Sequence, residues 1–401
     1  MHGDISLHTT RPVQCCPWCA GSEIRPKGKR RNKFGDVQLY LCRHCDRKFT
    51  PLLTRNKTYP LRVIIDALTF YNRLYTLEGA ARAVGRRYGL AISRQTLRNW
   101  LDDFADYVPF TKLRAAAARS FDRRDAIAEA QLLHGQVYAF KYHRAKTALI
   151  LDRLRETHPV RPLQAFLEGV PRSCPHTLFR DNRARASSTK GRFRLDGLVI
   201  KPRPDPAVQA ARFALQAVAD NRQRHETLQG FMLANDGDTV AVEVPVYLTA
   251  ADLDDMRPAF SQLPFTLGRG ETITGHIDIV QLRFGLIHIL DYKPGAKRIK
   301  PIEQLTLYAL ALSRLTGIGI YHFKCAWFDD EDYFDFYPRH LIHPHRTAGM
   351  PETIPAVPPP PNTGRKTMSP AGRQATAAAC AGICLVPAPS PSIPGRRNTG
   401  N

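Results

Sequence analysis

Two aspartates and a lysine stand close together on what the sequence predicts to be a β-hairpin. Two runs rich in Ile, Leu and Val flank Phe284-Gly285, a pair suited to a tight turn between antiparallel strands. With a two- or four-residue loop centred on this pair, Asp278 and Asp291 lie directly opposite each other, with Cβ atoms about 4.5–5.5 Å apart; an odd loop length would break this pairing. Lys293 lies two residues beyond Asp291, on the same face of its strand. The spacing therefore predicts two carboxylates and one ammonium group at a single point of a sheet.

Two like charges on a largely apolar sheet are costly unless a cation compensates them or one carboxyl group stays protonated. A hard divalent ion such as Mg²⁺ prefers oxygen ligands and retains water and phosphate oxygens. A lysine beside such an ion can offset the charge that develops on a phosphate during hydrolysis. We therefore expect a divalent-metal site. The alternative is a buried Asp–Lys ion pair that holds the hairpin, but this leaves the second aspartate without a partner.

Three short motifs occur in order along this part of the chain: Gly275-His-Ile-Asp278, Asp291-Tyr-Lys293 and Gln304-Leu-Thr-Leu-Tyr308. Together they resemble the motifs of the PD-(D/E)XK nuclease superfamily, in particular its RecB-type branch, over about 199–338. The resemblance implies an α/β core with a mixed sheet flanked by helices, and a deoxyribonuclease that depends on Mg²⁺ or Mn²⁺. It implies metal ligation by Asp278, Asp291 and the carbonyl of Tyr292. It also implies catalysis by Lys293, with Gln304 and Tyr308 orienting the site and contacting DNA.

Two further residues match less specific positions of the same pattern. His225 has the place in the chain order of a metal-binding histidine on an earlier helix, although a lone histidine is more often structural. Glu243, on a strand predicted over 240–247, matches a glutamate that often precedes the first aspartate, and it either faces the metal or meets solvent. Beyond the motif helix, residues 321–337 have the pattern of a closing hairpin with an acidic turn.

Some RecB-type nucleases hold an iron–sulfur cluster through one early and three late cysteines. The cysteines of this half of the chain do not reproduce that spacing: Cys174, Cys325, Cys380 and Cys384. We therefore expect no iron–sulfur cluster.

Four cysteines near the N-terminus form two CxxC pairs, Cys16 with Cys19 and Cys42 with Cys45. Four thiolates on two such turns can close a tetrahedral shell around Zn²⁺ and stabilise a segment without a core of its own. The alternative is a redox-active pair, which would need only one CxxC in a βαβ unit. The segment resembles, over about 14–51, the zinc ribbons that open many prokaryotic insertion-sequence transposases, with Asp46 where that pattern has glycine.

A basic cluster lies on the predicted loop between the two cysteine pairs: Lys27, Lys29, Arg30, Arg31 and Lys33. These side chains either contact phosphates of DNA or are only solvated.

The next segment has the pattern of three helices. Apolar spacing predicts a helix over 61–75, a second from Glu78 to Tyr88 that Gly89 ends, and a third from Arg94 to Phe104. The third helix has an apolar stripe formed by Leu97, Trp100, Leu101 and Phe104. This leaves three side chains exposed where a recognition helix contacts DNA: Arg94, Gln95 and Arg98. The arrangement resembles the helix-turn-helix that follows such zinc ribbons; the alternative is a structural three-helix bundle with solvated arginines.

Charge and hydropathy limit the classes of protein to consider. The chain has 401 residues and a formal net charge of +22 at pH 7. The excess of Lys and Arg lies mainly in the first 200 residues, which favours nucleic acid over a merely solvated basic surface. No apolar run is long enough to span a bilayer, and the N-terminus lacks the pattern of a signal peptide. We expect no membrane association, and a DNA-associated protein in the cytoplasm of a prokaryote.

The sequence thus predicts a multidomain chain with five segments. These are a zinc ribbon (1–52), an all-α helix-turn-helix domain (53–110), a basic module of unassigned role (111–198), a PD-(D/E)XK nuclease domain (199–345) and a disordered Pro-rich tail (346–401). No DDE triad is visible in the basic module, which argues against a complete transposase.

We predict a metal-dependent DNA nuclease, targeted by its N-terminal modules, in a mobile-element or defence context, with DNA and other mobile-element proteins as partners. The alternative is a transposon-encoded DNA-binding regulator or transposase partner without cleavage activity of its own. The choice between endo- and exonuclease, the DNA target and the oligomeric state stay open at the level of sequence.

Overall fold

A computed structural model describes the greater part of the chain between residues 13 and 342. The described residues are 13, 15–32, 35–50, 57–179, 185–188, 193, 195, 198, 200–218, 223–260, 263 and 265–342. The segment predicted to be a disordered tail, with Cys380 and Cys384, lies outside them. Within the described residues, no helix combines the length and the apolar character that crossing a bilayer requires.

The first unit is a small antiparallel sheet of three strands, β1 (Ile24–Asn32), β2 (Gly35–Cys42) and β3 (Lys48–Phe49). Four residues of the basic cluster predicted on a loop, Lys27, Lys29, Arg30 and Arg31, lie on β1 instead, whereas Lys33 lies outside the described residues. Lys29 and Arg30 pair with residues of β2. The loop prediction was wrong because a bulge with Gly28 at φ +83° lets the strand resume its pairing. A left-handed backbone of this kind is open to glycine at little cost.

Three helices follow with nearly the predicted bounds, α1 (Leu61–Asn72), α2 (Leu77–Tyr88) and α3 (Arg94–Asp103). Helix α2 ends at Gly89, which is left-handed with φ 65°. Helix α3 begins after Ser93, whose hydroxyl accepts a hydrogen bond from the backbone N–H of Thr96 at 3.0 Å. The predicted apolar stripe of α3 is buried, which confirms the helical pattern: Leu97, Trp100, Leu101 and Phe104.

The segment of unassigned role contributes two strands to the main sheet of the protein. After α4 (Arg114–Ser120), strands β4 (Ala128–His134) and β5 (Gln136–Tyr142) form a hairpin, followed by α5 (Arg144–Leu151) and α6 (Pro162–Ser173). Strand β5 pairs with the first strand of the predicted nuclease domain through Lys141 with Val242 and Tyr142 with Ala241. The two strands thereby extend this sheet at one edge.

The main sheet has seven strands in the order β10-β9-β8-β7-β6-β5-β4. Its other strands are β6 (Thr239–Thr249), β7 (Thr272–Arg283), β8 (Leu286–Tyr292), β9 (Phe323–Phe328) and β10 (Tyr333–Phe336). Strands β8 and β9 are parallel, because helix α10 (Ile302–Thr316) connects them, and the other neighbouring strands are antiparallel. The remaining helices are α7 (Pro206–Ala214), α8 (Arg224–Asn235), α9 (Ala250–Met256) and α11 (Arg339–Ile342). This mixed sheet flanked by helices confirms the predicted α/β core.

The three-helix segment packs directly on the sheet domain. Its apolar residues belong to one buried cluster with residues of α7, α8 and the sheet, among them Ile64, Leu68, Phe213, Phe231, Ile279 and Leu290. A hydrogen bond between two fully buried asparagines also joins the two parts: Nδ2 of Asn72 on α1 donates to Oδ1 of Asn235 on α8 at 2.9 Å. Packing and hydrogen bonding thus fix α1 against the sheet domain.

The asparagine pair predicts a stability effect. Asn235→Ala leaves the buried amide of Asn72 without this acceptor, so we expect the free energy of unfolding to fall by about 1–3 kcal/mol. Urea denaturation followed by circular dichroism measures it. Asn99→Ala, at an exposed position of α3, serves as the control and should change the free energy by less than about 0.5 kcal/mol. The double variant Asn72→Ala with Asn235→Ala should lose less free energy of unfolding than the sum of the losses in the two single variants. A double loss equal to that sum would contradict an interaction between the two side chains.

Candidate active site

The two aspartates of the predicted hairpin come together in the sheet. Strands β7 and β8 are joined by a two-residue turn, and the register that pairs Ile279 with Leu290 places Asp278 opposite Asp291. This is the register that the turn residues predicted. The backbone N–H of Tyr292 donates to Oδ2 of Asp278 at 3.3 Å. The hairpin alone therefore brings two carboxylates and one donor to the same point.

Asp291 is almost completely buried, with 2% of its surface exposed. Nζ of Lys293 lies 3.0 Å from its Oδ2. Burial, together with the charge of Asp278, raises the pKa of Asp291 well above its ordinary value. Although burial opposes the change, the charges of Asp291 and Asp278 raise the pKa of Lys293. The lysine is therefore held as a cation beside Asp291.

Asp278 behaves in the opposite way. Burial alone would raise the pKa of Asp278, but hydrogen bonding by His225 and by Asp291, with the charge of Lys293, holds it below its ordinary value. Nδ1 of His225, on the first turn of α8, lies 3.4 Å from Oδ2 of Asp278. The structure thus brings His225 to the site that the sequence pattern suggested for it.

Glu243 also lies at this point, on the neighbouring strand β6. The pairing of Val242 with Ile279 and of Val244 with Ile277 puts Glu243 opposite Asp278. Its Oε1 accepts a hydrogen bond from Nε2 of Gln229 at 2.7 Å. Burial, together with the charge of Asp278, raises the pKa of Glu243 to about 7. Three acidic residues from three adjacent strands, Glu243, Asp278 and Asp291, therefore lie close together.

The backbone of β6 is left-handed at Glu243, with φ 52°. In a regular strand Val242 and Val244 would face the same side of the sheet. Here Val242 belongs to the core that contains α1 and α8, and Val244 to the core that contains α10. The same reversal occurs across Asp278, between Ile277 and Ile279. A strained backbone of this kind costs of order 1–3 kcal/mol and is characteristic of functional sites.

Helix α10 closes one side of the site through Gln304 and Tyr308. Nε2 of Gln304 donates to the hydroxyl oxygen of Tyr308 at 3.0 Å. Burial and the nearby aspartates raise the pKa of Tyr308 above its ordinary value, so the phenol stays protonated. The ring lies against Gly275, where a Cβ atom would come within 2.3 Å of its Cε1. The glycine of the first motif is therefore the residue that leaves room for the tyrosine of the third.

A further positioning residue, Asp329, escaped the analysis of the sequence. Its Oδ2 accepts hydrogen bonds from the backbone N–H groups of Gly295 and Ala296 at 3.1 and 2.9 Å. It thereby holds the segment that directly follows Lys293. Asp329 stands within the acidic turn of the closing hairpin, and nothing in that run of acidic residues distinguishes it from its neighbours.

The residues of the site fit a hard divalent cation. Lys293 alone does not keep the buried Asp291 ionised next to Asp278, as the raised pKa of Asp291 shows, and the available donors are oxygen atoms and one imidazole. Among the described residues, metal-ligand groups of three or more members within 4.8 Å occur at two other places, not here. Two carboxylates, with water and phosphate for the remaining positions, are a ligand set that Mg²⁺ accepts.

The four N-terminal cysteines converge as the two CxxC pairs predicted. Sγ of Cys16 lies 3.6 Å from Sγ of Cys45, and Sγ of Cys19 lies 3.6 Å from Sγ of Cys42. All four ligand atoms lie within 4.8 Å of one another, and none forms a disulfide. A tetrahedral Zn²⁺ ion with bonds of about 2.3 Å holds its sulfur ligands about 3.8 Å apart. The cluster is therefore compatible with zinc.

The residues predicted to contact DNA are exposed: Lys29, Arg30, Arg31, Arg94, Gln95 and Arg98. Two of those on α3 have partners within the protein. Arg94 forms an ion pair of 3.0 Å with Glu78, and Nε2 of Gln95 donates to Asn99 at 2.8 Å. Contact with DNA stays a prediction for all six.

Comparison with known proteins supports the assignment of the sheet domain. The model of the PD-(D/E)XK nuclease superfamily matches residues 191–332 of the chain. This range contains all the residues of the site described above: His225, Glu243, Asp278, Asp291, Lys293, Gln304, Tyr308 and Asp329. The predicted resemblance to the superfamily is thereby confirmed, whereas the RecB-type branch, the zinc ribbon and the helix-turn-helix stay predictions. No curated protein and no solved structure matches the chain.

The contact between Gly275 and Tyr308 predicts a specific packing defect. Gly275→Ala forces the ring or the strand to move, and we expect the free energy of unfolding to fall by about 1–3 kcal/mol. Urea denaturation measures the loss. Gly237→Ala is the control, because no atom lies within 4 Å of the position of its Cβ. The double variant Gly275→Ala with Tyr308→Leu should lose less free energy of unfolding than the sum of the losses in the two single variants. A double loss equal to that sum would contradict the clash between position 275 and the ring.

The raised pKa of Glu243 predicts a pH dependence of stability in the absence of Mg²⁺ and Mn²⁺. The pKa rises from 4.5 to about 7 on folding, so the stabilising contribution is complete below about pH 4.5 and is lost as the pH rises through 7. The lost stability amounts to at most about 3 kcal/mol. The free energy of unfolding, measured by urea denaturation at several pH values between about 5 and 8, should fall less steeply with pH in Glu243→Gln than in the wild type. The exposed control Glu271→Gln should follow the wild type; parallel curves for all three proteins would disprove the assignment.

Proposed function

We propose that this chain is a metal-dependent nuclease that hydrolyses phosphodiester bonds of DNA. The observation that carries the proposal is the convergence of Asp278 and Asp291 from adjacent strands, with Nζ of Lys293 3.0 Å from Asp291. This convergence lies in the segment that matches the PD-(D/E)XK nuclease superfamily, whose members are mostly nucleases that use divalent metals. A buried ion pair alone accounts for one carboxylate; a divalent cation accounts for both.

The ligands in this proposal are the carboxylates of Asp278 and Asp291 and the carbonyl oxygen of Tyr292, flanked by Glu243 and His225. When bound, Mg²⁺ or Mn²⁺ would supply positive charge to the scissile phosphate and lower the pKa of a coordinated water.

The other polar groups act on the substrate. Lys293 stays protonated beside Asp291, so its ammonium group can offset negative charge that develops on the phosphate. The protonated phenol of Tyr308 and the amide of Gln304 form one hydrogen-bonded unit that orients the site and contacts DNA.

The N-terminal modules serve as the DNA-targeting part of this proposal. The spacing of the four sulfur atoms supports a structural Zn²⁺ ion, and the exposed basic residues of β1 and α3 support contact with phosphates. By analogy with transposase zinc ribbons and helix-turn-helices, we assign the protein to a mobile-element or defence context, associated with DNA in the cytoplasm of a prokaryote. Other proteins of the same element are then its further partners.

Cleavage of DNA tests the proposal directly. Purified protein with Mg²⁺ or Mn²⁺ should cut plasmid or linear DNA, and gel electrophoresis measures the rate. Asp291→Asn and Lys293→Ala should each lower this rate by about 100-fold or more, because each removes charge needed in the transition state. Lys201→Ala, which changes an exposed lysine outside the site, is the matched control and should cut at the rate of the wild type.

Binding of the same DNA, measured on the same proteins, separates catalysis from recognition. The active-site variants should bind as tightly as the wild type, and plasmid nicking against trimming of linear ends distinguishes endonuclease from exonuclease. If the wild type and the variants all bind DNA but none of them cuts it, the nuclease proposal is contradicted. A DNA-binding regulator or transposase partner would then be the better description.

A further inference from the structure

A second group of metal-ligand side chains lies outside the proposed active site, where the edge strand β4 meets the end of α6. His134 is the last residue of β4, Cys174 caps α6, and His176 opens the turn that follows. Nε2 of His134 lies 2.8 Å from Nδ1 of His176 and 3.8 Å from Sγ of Cys174. All three ligand atoms lie within 4.8 Å of one another. Two segments far apart in the sequence thus present two imidazole nitrogens and one thiol sulfur to one point.

The surrounding rings hold His134 in place. Its imidazole stacks on Phe179, with centroids 3.9 Å apart and planes at 11°. Its second nitrogen, Nδ1, lies 2.8 Å from Nε2 of His276. His276 in turn stacks on Tyr138 at 3.5 Å and 8°. One nitrogen of His134 therefore faces Cys174 and His176, while the other has a hydrogen-bond partner in His276. Histidines that bind metals likewise have their second nitrogen fixed by a hydrogen bond, usually to a carboxylate, a carbonyl group or water.

The donor set selects the kind of ion. Two imidazoles and one thiolate suit Zn²⁺, whereas Mg²⁺ prefers oxygen ligands. In a tetrahedral zinc site the two nitrogen ligands lie about 3.4 Å apart, and a nitrogen and a sulfur ligand about 3.6 Å apart. The distances in the structure are 2.8 and 3.8 Å, so a shift of roughly half an ångström between the rings of His134 and His176 suffices.

We propose that His134, Cys174 and His176 bind a Zn²⁺ ion, in addition to the ion proposed for the four N-terminal cysteines. The three protein ligands leave a fourth coordination position for a water molecule or another small ligand. This ion would join β4 to the end of α6. Through His276 it would also connect them to β7, two residues before Asp278. It would thus stabilise the edge of the sheet that residues 128–142 provide.

Zinc content of the purified full-length chain tests this proposal without any assay of cleavage. Native mass spectrometry and elemental analysis should find two zinc ions per chain. Cys174→Ser and His176→Ala should each lose one ion, and Cys42→Ser should lose the other. His322→Ala changes a half-buried histidine elsewhere in the protein and should retain both ions. Because DNA cutting is not the readout, failure of the nuclease proposal would leave this result unaffected.

The comparison between the wild type and Cys174→Ser decides the outcome. Equal zinc content in these two proteins would overturn the site and leave a chain of hydrogen-bonded histidines. If the wild type holds a single zinc ion and Cys174→Ser holds none, the site at His134, Cys174 and His176 is supported. That result would contradict zinc binding by the four N-terminal cysteines.

Cobalt provides a second test that needs no variant, in case the substitutions impair folding. Titration of the metal-free wild type with Co²⁺ should reach saturation at two equivalents. One component should have the strong thiolate-to-cobalt charge transfer of four cysteines, and the other the weaker band of a single cysteine. Saturation with the four-cysteine spectrum alone would overturn the proposal.

Discussion

Repulsion between two carboxylates on a buried sheet is the constraint on which the rest of the sheet domain depends. Asp278 and Asp291 face each other across β7 and β8, and Asp291 has almost no contact with solvent. Neighbouring elements bring donors and cations to this pair: the backbone of Tyr292, Lys293 after β8, and His225 at the start of α8. Glu243 adds a third acidic group rather than compensation. The excess of negative charge is what a divalent cation would neutralise.

Two local features of the backbone let these groups meet. At Glu243, where the backbone is left-handed, strand β6 changes the face of the sheet that its side chains occupy, and β7 does the same at Asp278. The apolar residues on either side of these two positions therefore lie in different cores. Glu243 and Asp278 lie opposite each other at this point. The missing side chain of Gly275 lets Tyr308 lie against the strand. The three-helix segment packs on the same domain through α1 and α8, so its position relative to the site is set by a buried interface rather than by a linker.

The sequence by itself determined the parts of this protein that depend on neighbours in the chain. A two-residue turn fixes the register of a hairpin, so the position of Asp278 opposite Asp291 followed from Phe284-Gly285 alone. The three helices from Leu61 to Asp103 followed from apolar periodicity and from their caps. The convergence of the N-terminal cysteines followed from two CxxC turns. Each of these inferences spans few residues, over which local geometry leaves few alternatives.

Only the tertiary structure decided the contacts between residues far apart in the chain. No periodicity indicates that β4 and β5 extend the main sheet, that Gly275 makes room for Tyr308, or that Asp329 holds the segment after Lys293. The conformation of Glu243 and the meeting of His134 with Cys174 and His176 are equally invisible in the sequence. Such contacts arise when separate elements pack to bury their apolar faces, and that packing depends on the shape of the whole core.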